Sequence, residues 1–127
     1  MWSTYIRNKV LDKILKGTDF SLSVYVSAHT ATPGITGANE VAGGSYARQL
    51  ALAAVFDAAS GAESEVNASI TFTGMPSTTV THWGIWDAVS GGNFIVGGPL
   101  DASVVVPSGD GFAIEIGALV TLEAGSV

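Results

Sequence analysis

From residue 18 onward, apolar residues recur at every second position in short runs broken by clusters of Gly, Pro, Asn and Ser. A period of two is the side-chain period of a strand, and those clusters carry turn chemistry. A chain patterned this way folds as a mainly β protein. Leu22, Val24, Val26 and Ala28 alternate with Ser23, Tyr25, Ser27 and His29, which predicts a half-buried strand. Further strands are predicted over 46–56, 66–72, 80–86, 94–96, 104–106, 112–116 and 119–122, with turns at 57–61, 74–77, 90–93, 97–99 and 108–111. About eight short strands at this spacing fit a jelly-roll-like antiparallel β-sandwich. Residues 31–45 hold Pro33, Gly34, Gly37, Gly43 and Gly44 and read as a long exposed loop.

The first 17 residues differ. Ser3 or Thr4 can cap a helix, residues 5–16 have helical spacing, and Gly17 stands where a left-handed residue ends one. The chain therefore divides into an N-terminal basic amphipathic helix (1–17) and a β-sandwich body (18–127) within a single domain. Ile6, Val10, Leu11, Ile14 and Leu15 form a wide apolar stripe, with Lys9, Lys13 and Lys16 opposite. Arg7 projects from the apolar side, either with its stem along the body and its guanidinium toward water or paired with a carboxylate at a partly buried contact, the first being favoured. A helix of about 12 residues is marginal alone in water, so the stripe has to pack on its own body or on a neighbour.

Charge follows the same division. Four cations against Asp12 leave residues 1–16 at +3, whereas Arg48 against ten acids leaves the rest at −9. A basic handle on an acidic body suits docking and assembly. Charged residues make up only 13% of the 127, against about 25% in a typical domain, so part of the surface is expected to be covered in a homo-oligomer. The absence of Cys excludes disulfides and thiolate metal sites and fits synthesis in the cytoplasm. No secretory signal and no membrane-spanning run are expected.

Catalytic chemistry has little to stand on. His29 and His82 each lie on a predicted strand without a second ligand at metal-binding spacing, no Gly-x-Ser-x-Gly elbow anchors a triad, and the carboxylates are spread over separate loops. The expectation is a protein that is not an enzyme, with no cofactor and no metal. Nucleic acid is a poor partner for a body at −9, and no membrane partner is expected. Trp83 and Trp86 stand three apart on a strand, so they face opposite ways and make no joint sugar platform.

Several segments together resemble a known family. They are Ile6-Arg7-Asn8-Lys9-Val10-Leu11-Asp12, Lys16-Gly17-Thr18, Asn39-Glu40-Val41, residues 43–48, residues 81–88, Gly91-Gly92-Asn93, Gly109-Asp110 and Gly117-Ala118-Leu119. This pattern resembles small tailed-bacteriophage virion proteins commonly labelled tail-fibre-like. The resemblance implies a non-enzymatic virion structural protein on the surface of the phage particle, made in the host cytoplasm. Within that resemblance, shortness and the lack of repeats favour a capsid cement or decoration protein, a homotrimer foremost, bound to the major capsid protein. The alternative is a tail or tail-fibre component acting as a receptor- or glycan-binding module. Candidate partner-contacting residues on the helix are Arg7, Lys9, Val10, Leu11, Lys13, Ile14 and Lys16. In the body they are Asn39, Glu40, Tyr46, Arg48, His82 and Trp86.

Overall fold

The computed structural model of the chain describes residues 1–115 and 119–121. Among them, α1 (Thr4–Lys16) precedes eight strands: β1 (Val24–His29), β2 (Gln49–Ala51), β3 (Glu63–Glu65), β4 (Ile70–Phe72), β5 (Thr78–Trp86), β6 (Phe94–Val106), β7 (Phe112–Ile114) and β8 (Leu119–Thr121). The order β2-β1-β5-β6 makes a four-stranded sheet, and β3-β8 and β4-β7 make two smaller ones. Every strand pairing is antiparallel. The protein is mainly β with a single N-terminal helix, as the periodicity predicts, and the pairing is compatible with a jelly-roll-like sandwich. Residues 116–118 and 122, which carry parts of the last two predicted strands and of the Gly117-Ala118-Leu119 motif, lie outside the described residues.

Local chemistry sets both ends of α1. The Ser3 hydroxyl accepts from the Ile6 N–H at 3.3 Å, and Gly17 at φ 69° donates its N–H to the Lys13 carbonyl at 3.1 Å. Only the beginning of the helix packs. Ile6 is buried with Ile85, Ile95 and Val96, and Trp2 and Tyr5 lie against them. The Ser3 N–H bonds Ile95, and Trp2 bridges to Val96, tying the entry to the edge of β6. Further along, the predicted stripe finds no cover: Leu11 is 48%, Ile14 71% and Leu15 75% exposed. The helix is turned so that the Ile6 face meets the body and the Leu11–Leu15 face meets solvent.

Two predicted strands are one. Residues 94–96 and 104–106 belong to the continuous β6, and Gly97-Gly98-Pro99 is not a turn but pairs with Gly84, Trp83 and His82. The glycines stand there because of close approach: a Cβ on Gly97 would lie 2.5 Å from Pro33 Cγ and 2.7 Å from the Trp83 carbonyl oxygen. A second departure is in β5. A register shift between Val80 and His82 marks a bulge, which moves the alternation by one residue. Val80 and Trp83 therefore both contribute to the main core, with Val26, Phe72 and Val106, while Trp86 points to the other face.

β1 is buried on both faces rather than half-buried, since Val26, Ser27, Ala28 and His29 are all inaccessible. The cover is the predicted exposed loop. Residues 30–48 fold back over the outer face of the sheet, burying Pro33, Gly37 and Val41, with Val41 donating to the Ala28 carbonyl at 2.9 Å.

Candidate functional site

The returning loop builds a connected polar cluster. Pro33 sets its turn, with the N–H groups of Gly37 and Ala38 both donating to the Pro33 carbonyl at 2.9 and 3.1 Å. Asn39 follows with φ 63°, and its side-chain amide donates to the Thr32 carbonyl at 2.9 Å. That geometry brings Glu40 to Arg48. The Arg48 Nε donates to both Glu40 carboxylate oxygens, at 3.1 and 2.8 Å, and a terminal nitrogen donates to the Ala88 and Gly91 carbonyls at 2.9 Å each. The guanidinium sits 3.7 Å from the centroid of a Trp86 ring. Arg48 thus pins the loop, the β5–β6 turn and Trp86 together, a fork-and-stack role that Lys does not match.

Beneath the clamp runs a closed hydrogen-bond chain. The Trp86 Nε1–H donates to Ser27 Oγ at 3.0 Å, and Ser27 Oγ and His29 Nε2 are 2.7 Å apart. His29 Nδ1 lies 2.7 Å from the Ala38 carbonyl, a pure acceptor, so Nδ1 carries the proton and Nε2 accepts from the serine. Burial holds the His29 pKa below its ordinary value; the Ala38 hydrogen bond and Glu40 oppose this in part. Ser27 and His29 have the composition of a nucleophile–base pair but the accessibility of core residues: both are fully buried. Among the described residues no carboxylate hydrogen-bonds His29, and the Ser27 hydroxyl both donates to His29 and accepts from Trp86. The arrangement holds the loop down.

The remaining predicted residues separate into two places. Tyr46 stacks on Phe72 with centroids 5.8 Å apart and accepts from the Ala28 N–H at 3.0 Å, and burial raises its pKa well above the usual phenol value. His82 lies across the sheet from His29, its Nδ1 2.7 Å from the Thr81 hydroxyl. Tyr46, Glu40, Arg48 and Trp86 are therefore engaged inside the chain. On α1, Arg7 bonds Thr4 at 3.2 Å, Lys9 lies 5.6 Å over the Tyr5 ring, Val10 is half-buried, and Lys13 pairs with Asp19. Leu11, Ile14 and Lys16 face solvent. The structure thus puts the candidates in an internal clamp and on an outward helix face.

Of the Ser27–His29–Trp86 chain, the sequence singles out Trp86 as a site residue but not Ser27 or His29. The spacing of two, which sets Ser27 and His29 on one strand face, was its available signal. Two hollows stand out among the described residues. One, of about 20 Å³, is apolar and lies in the core between Val26, Phe56, Trp83 and Ile114. The other, of about 350 Å³, is lined by Asp57, Ala58, Ser60, Glu63 and Glu65. Among the described residues, no group of three His, Cys, Asp or Glu is placed to hold a metal ion.

Comparison with known families gives one match of nearly full length. A family model described as podophage GP4 fiber I protein gp80 matches residues 1–121. No curated protein matches the sequence significantly.

Proposed function

The chain belongs to the podophage GP4 fiber I protein gp80 family, and from that premise we propose that it is a non-enzymatic structural subunit of the phage tail fibre, working as a homo-oligomer. The coarser part follows from membership: this is a phage virion structural protein that associates with other virion proteins. The fibre description favours the tail-fibre alternative over the capsid-cement role that shortness and missing repeats had favoured. A fibre can include short globular parts as well as long repetitive ones, so chain length does not discriminate between the two.

Within the fibre reading, the geometry favours a joining part over a sugar-reading one. Trp83 packs in the core and Trp86 is covered by Arg48, so neither indole offers a platform for a glycan. The outward Leu11–Leu15 face of α1 is the kind of surface that a neighbour covers. A homotrimer is the oligomer we favour, because closed cyclic assembly gives every copy the same contacts.

The single observation that carries the proposal is the family match over residues 1–121. Gold-labelled antibody on intact particles, together with copy counting by quantitative mass spectrometry, tests it. Label at the tail with a few to a few dozen copies is the expected result. Label over the head with hundreds of copies would return the protein to the cement role.

A further inference from the structure

Under the returning loop, donors and acceptors match one for one. The Trp86 Nε1–H donates to Ser27 Oγ, the Ser27 hydroxyl to His29 Nε2, and the His29 Nδ1–H to the Ala38 carbonyl. Among the described residues the Ser27 hydroxyl has these two partners alone, and both it and His29 are fully buried. On the sheet side the space is closed at Gly84, where a Cβ would lie 2.6 Å from His29 Nε2 and from Ser27 Oγ.

A second proton on the ring breaks the match. Nε2 then carries an N–H against a hydroxyl that already donates toward it, and the ring gains a charge where water does not reach. The groups around it do not compensate. The Ala38 carbonyl and Glu40 favour the charged ring, but both Glu40 oxygens already accept from Arg48, while Arg48 and His82 repel an imidazolium. Burial, the largest influence on the ring, favours the neutral form and outweighs the two that oppose it.

Relief comes where the ring is held least. On one side stands the paired ladder of β1 and β5. On the other, the loop reaches His29 through the Ala38 carbonyl and an isolated bridge at Glu40, and residues 30–32, 35–36 and 38–39 are exposed. The Glu40–Arg48 pair fixes the far end of this segment. We propose that residues 30–39 form an acid-released latch: protonation of His29 sets its Nε2–H against the Ser27 hydroxyl, the segment lifts so that water reaches the ring, and the Trp86 and Phe94 rings beneath Gly37 are uncovered. The latch belongs to the chain itself and does not depend on its place in the virion.

Hydrogen exchange on the full chain, followed by NMR from pH 7.5 to 5 and corrected for the intrinsic pH dependence of exchange, tests this. The reporters are the Trp86 indole N–H, which bonds Ser27 under the loop, and the Thr30 amide, which donates to the Asn39 carbonyl. Their protection should fall by up to about tenfold per pH unit below the ordinary histidine value of 6.5, while the amides of the β5–β6 ladder keep theirs. In His29→Gln the two reporters should show no such pH dependence, whatever their level of protection. Because that variant alters a core group, the wild-type ring is also followed through its own carbon shifts, and the loss of protection must track the ring titration whether or not the variant folds. Reporters that stay protected down to pH 5 would overturn the latch, as would a ring that titrates while the loop stays closed. Loss shared equally with the β5–β6 amides would make the event global unfolding, and the same loss in His29→Gln would place the trigger elsewhere; either result also overturns it.

Discussion

The guanidinium of Arg48 lies 3.7 Å from the Trp86 ring centroid while its Nε grips the Glu40 carboxylate, so one side chain joins three separate segments. Its side chain is only 9% exposed, against 23% for Glu40. Replacing Arg48 with Ala leaves Glu40 half-buried and unpaired and strips the Trp86 face. A loss of about 2 to 4 kcal/mol is expected, since breaking a buried pair costs about 3 to 5 and this one is partly wet. Arg48→Lys should recover less than half of that loss. Urea unfolding of the three proteins checks both values, and an unchanged midpoint for Arg48→Ala would show that the clamp contributes nothing.

Gly37 is the contact point between loop and sheet. It holds φ +78°, and a Cβ there would lie 2.3 Å from the Trp86 ring, whereas Gly34 at φ +59° has open space around it. Gly37→Ala should therefore cost more than about 3 kcal/mol, combining strain with overpacking, while Gly34→Ala should cost about 1. Thermal melts followed by tryptophan fluorescence compare them. Equal costs would mean that the loop is not seated on Trp86.

Acid should loosen the fold in two stages. The His29 pKa is lowered in the folded state, first by burial, so the unfolded chain binds more protons once the pH falls below 6.5. Stability present above that pH is then lost as the pH falls toward the lowered value. Glu40, Arg48 and His82 face the ring, and of these Glu40 opposes the lowering while Arg48 and His82 deepen it. Asp87 acts lower down. Burial pushes its pKa up, but hydrogen bonds from Asn93 at 2.6 and 3.0 Å outweigh this, so its contribution is lost only below 3.8. Urea midpoints from pH 8 to 3 should fall first below about pH 6.5. His29→Gln should flatten that first step alone, and an unaltered profile would remove His29 as its source.

Position on the helix decides the cost of truncation. Ile6 is 4% exposed and should cost about 2 to 5 kcal/mol as Ile6→Ala. Leu15→Ala, at 75% exposure, should stay within about 0.5 in the isolated chain. Chemical denaturation at low micromolar concentration measures both, and a large loss for Leu15 would mean that the outer face is covered.

Local signals carried well into the structure. Ser3 and Gly17 cap α1 through bonds to residues three or four away, and the Gly91-Gly92 turn joins β5 to β6 where its composition predicts. What stayed hidden depends on distant partners. Gly97 reads as a turn residue until Pro33 is brought against it, and the bulge beside Val80 reverses which face is core without any mark in composition. Of the clamp, Glu40, Arg48 and Trp86 stood out individually. Their convergence is set by a loop crossing the sheet, which no periodicity encodes.

The shallow attachment of α1 gives the molecule two clocks. Strands β1, β5 and β6 share a sheet and a buried core, so their amides should exchange with solvent only on rare, global opening. Residues 11–16 have neither core nor neighbour in the isolated chain, and so short a helical segment barely persists in water. Their amides should exchange orders of magnitude sooner and slow sharply once a partner covers them. The stiffness of the arm is then set by the state of assembly, and hydrogen exchange at Leu11 to Lys16 becomes a direct gauge of how far assembly has gone.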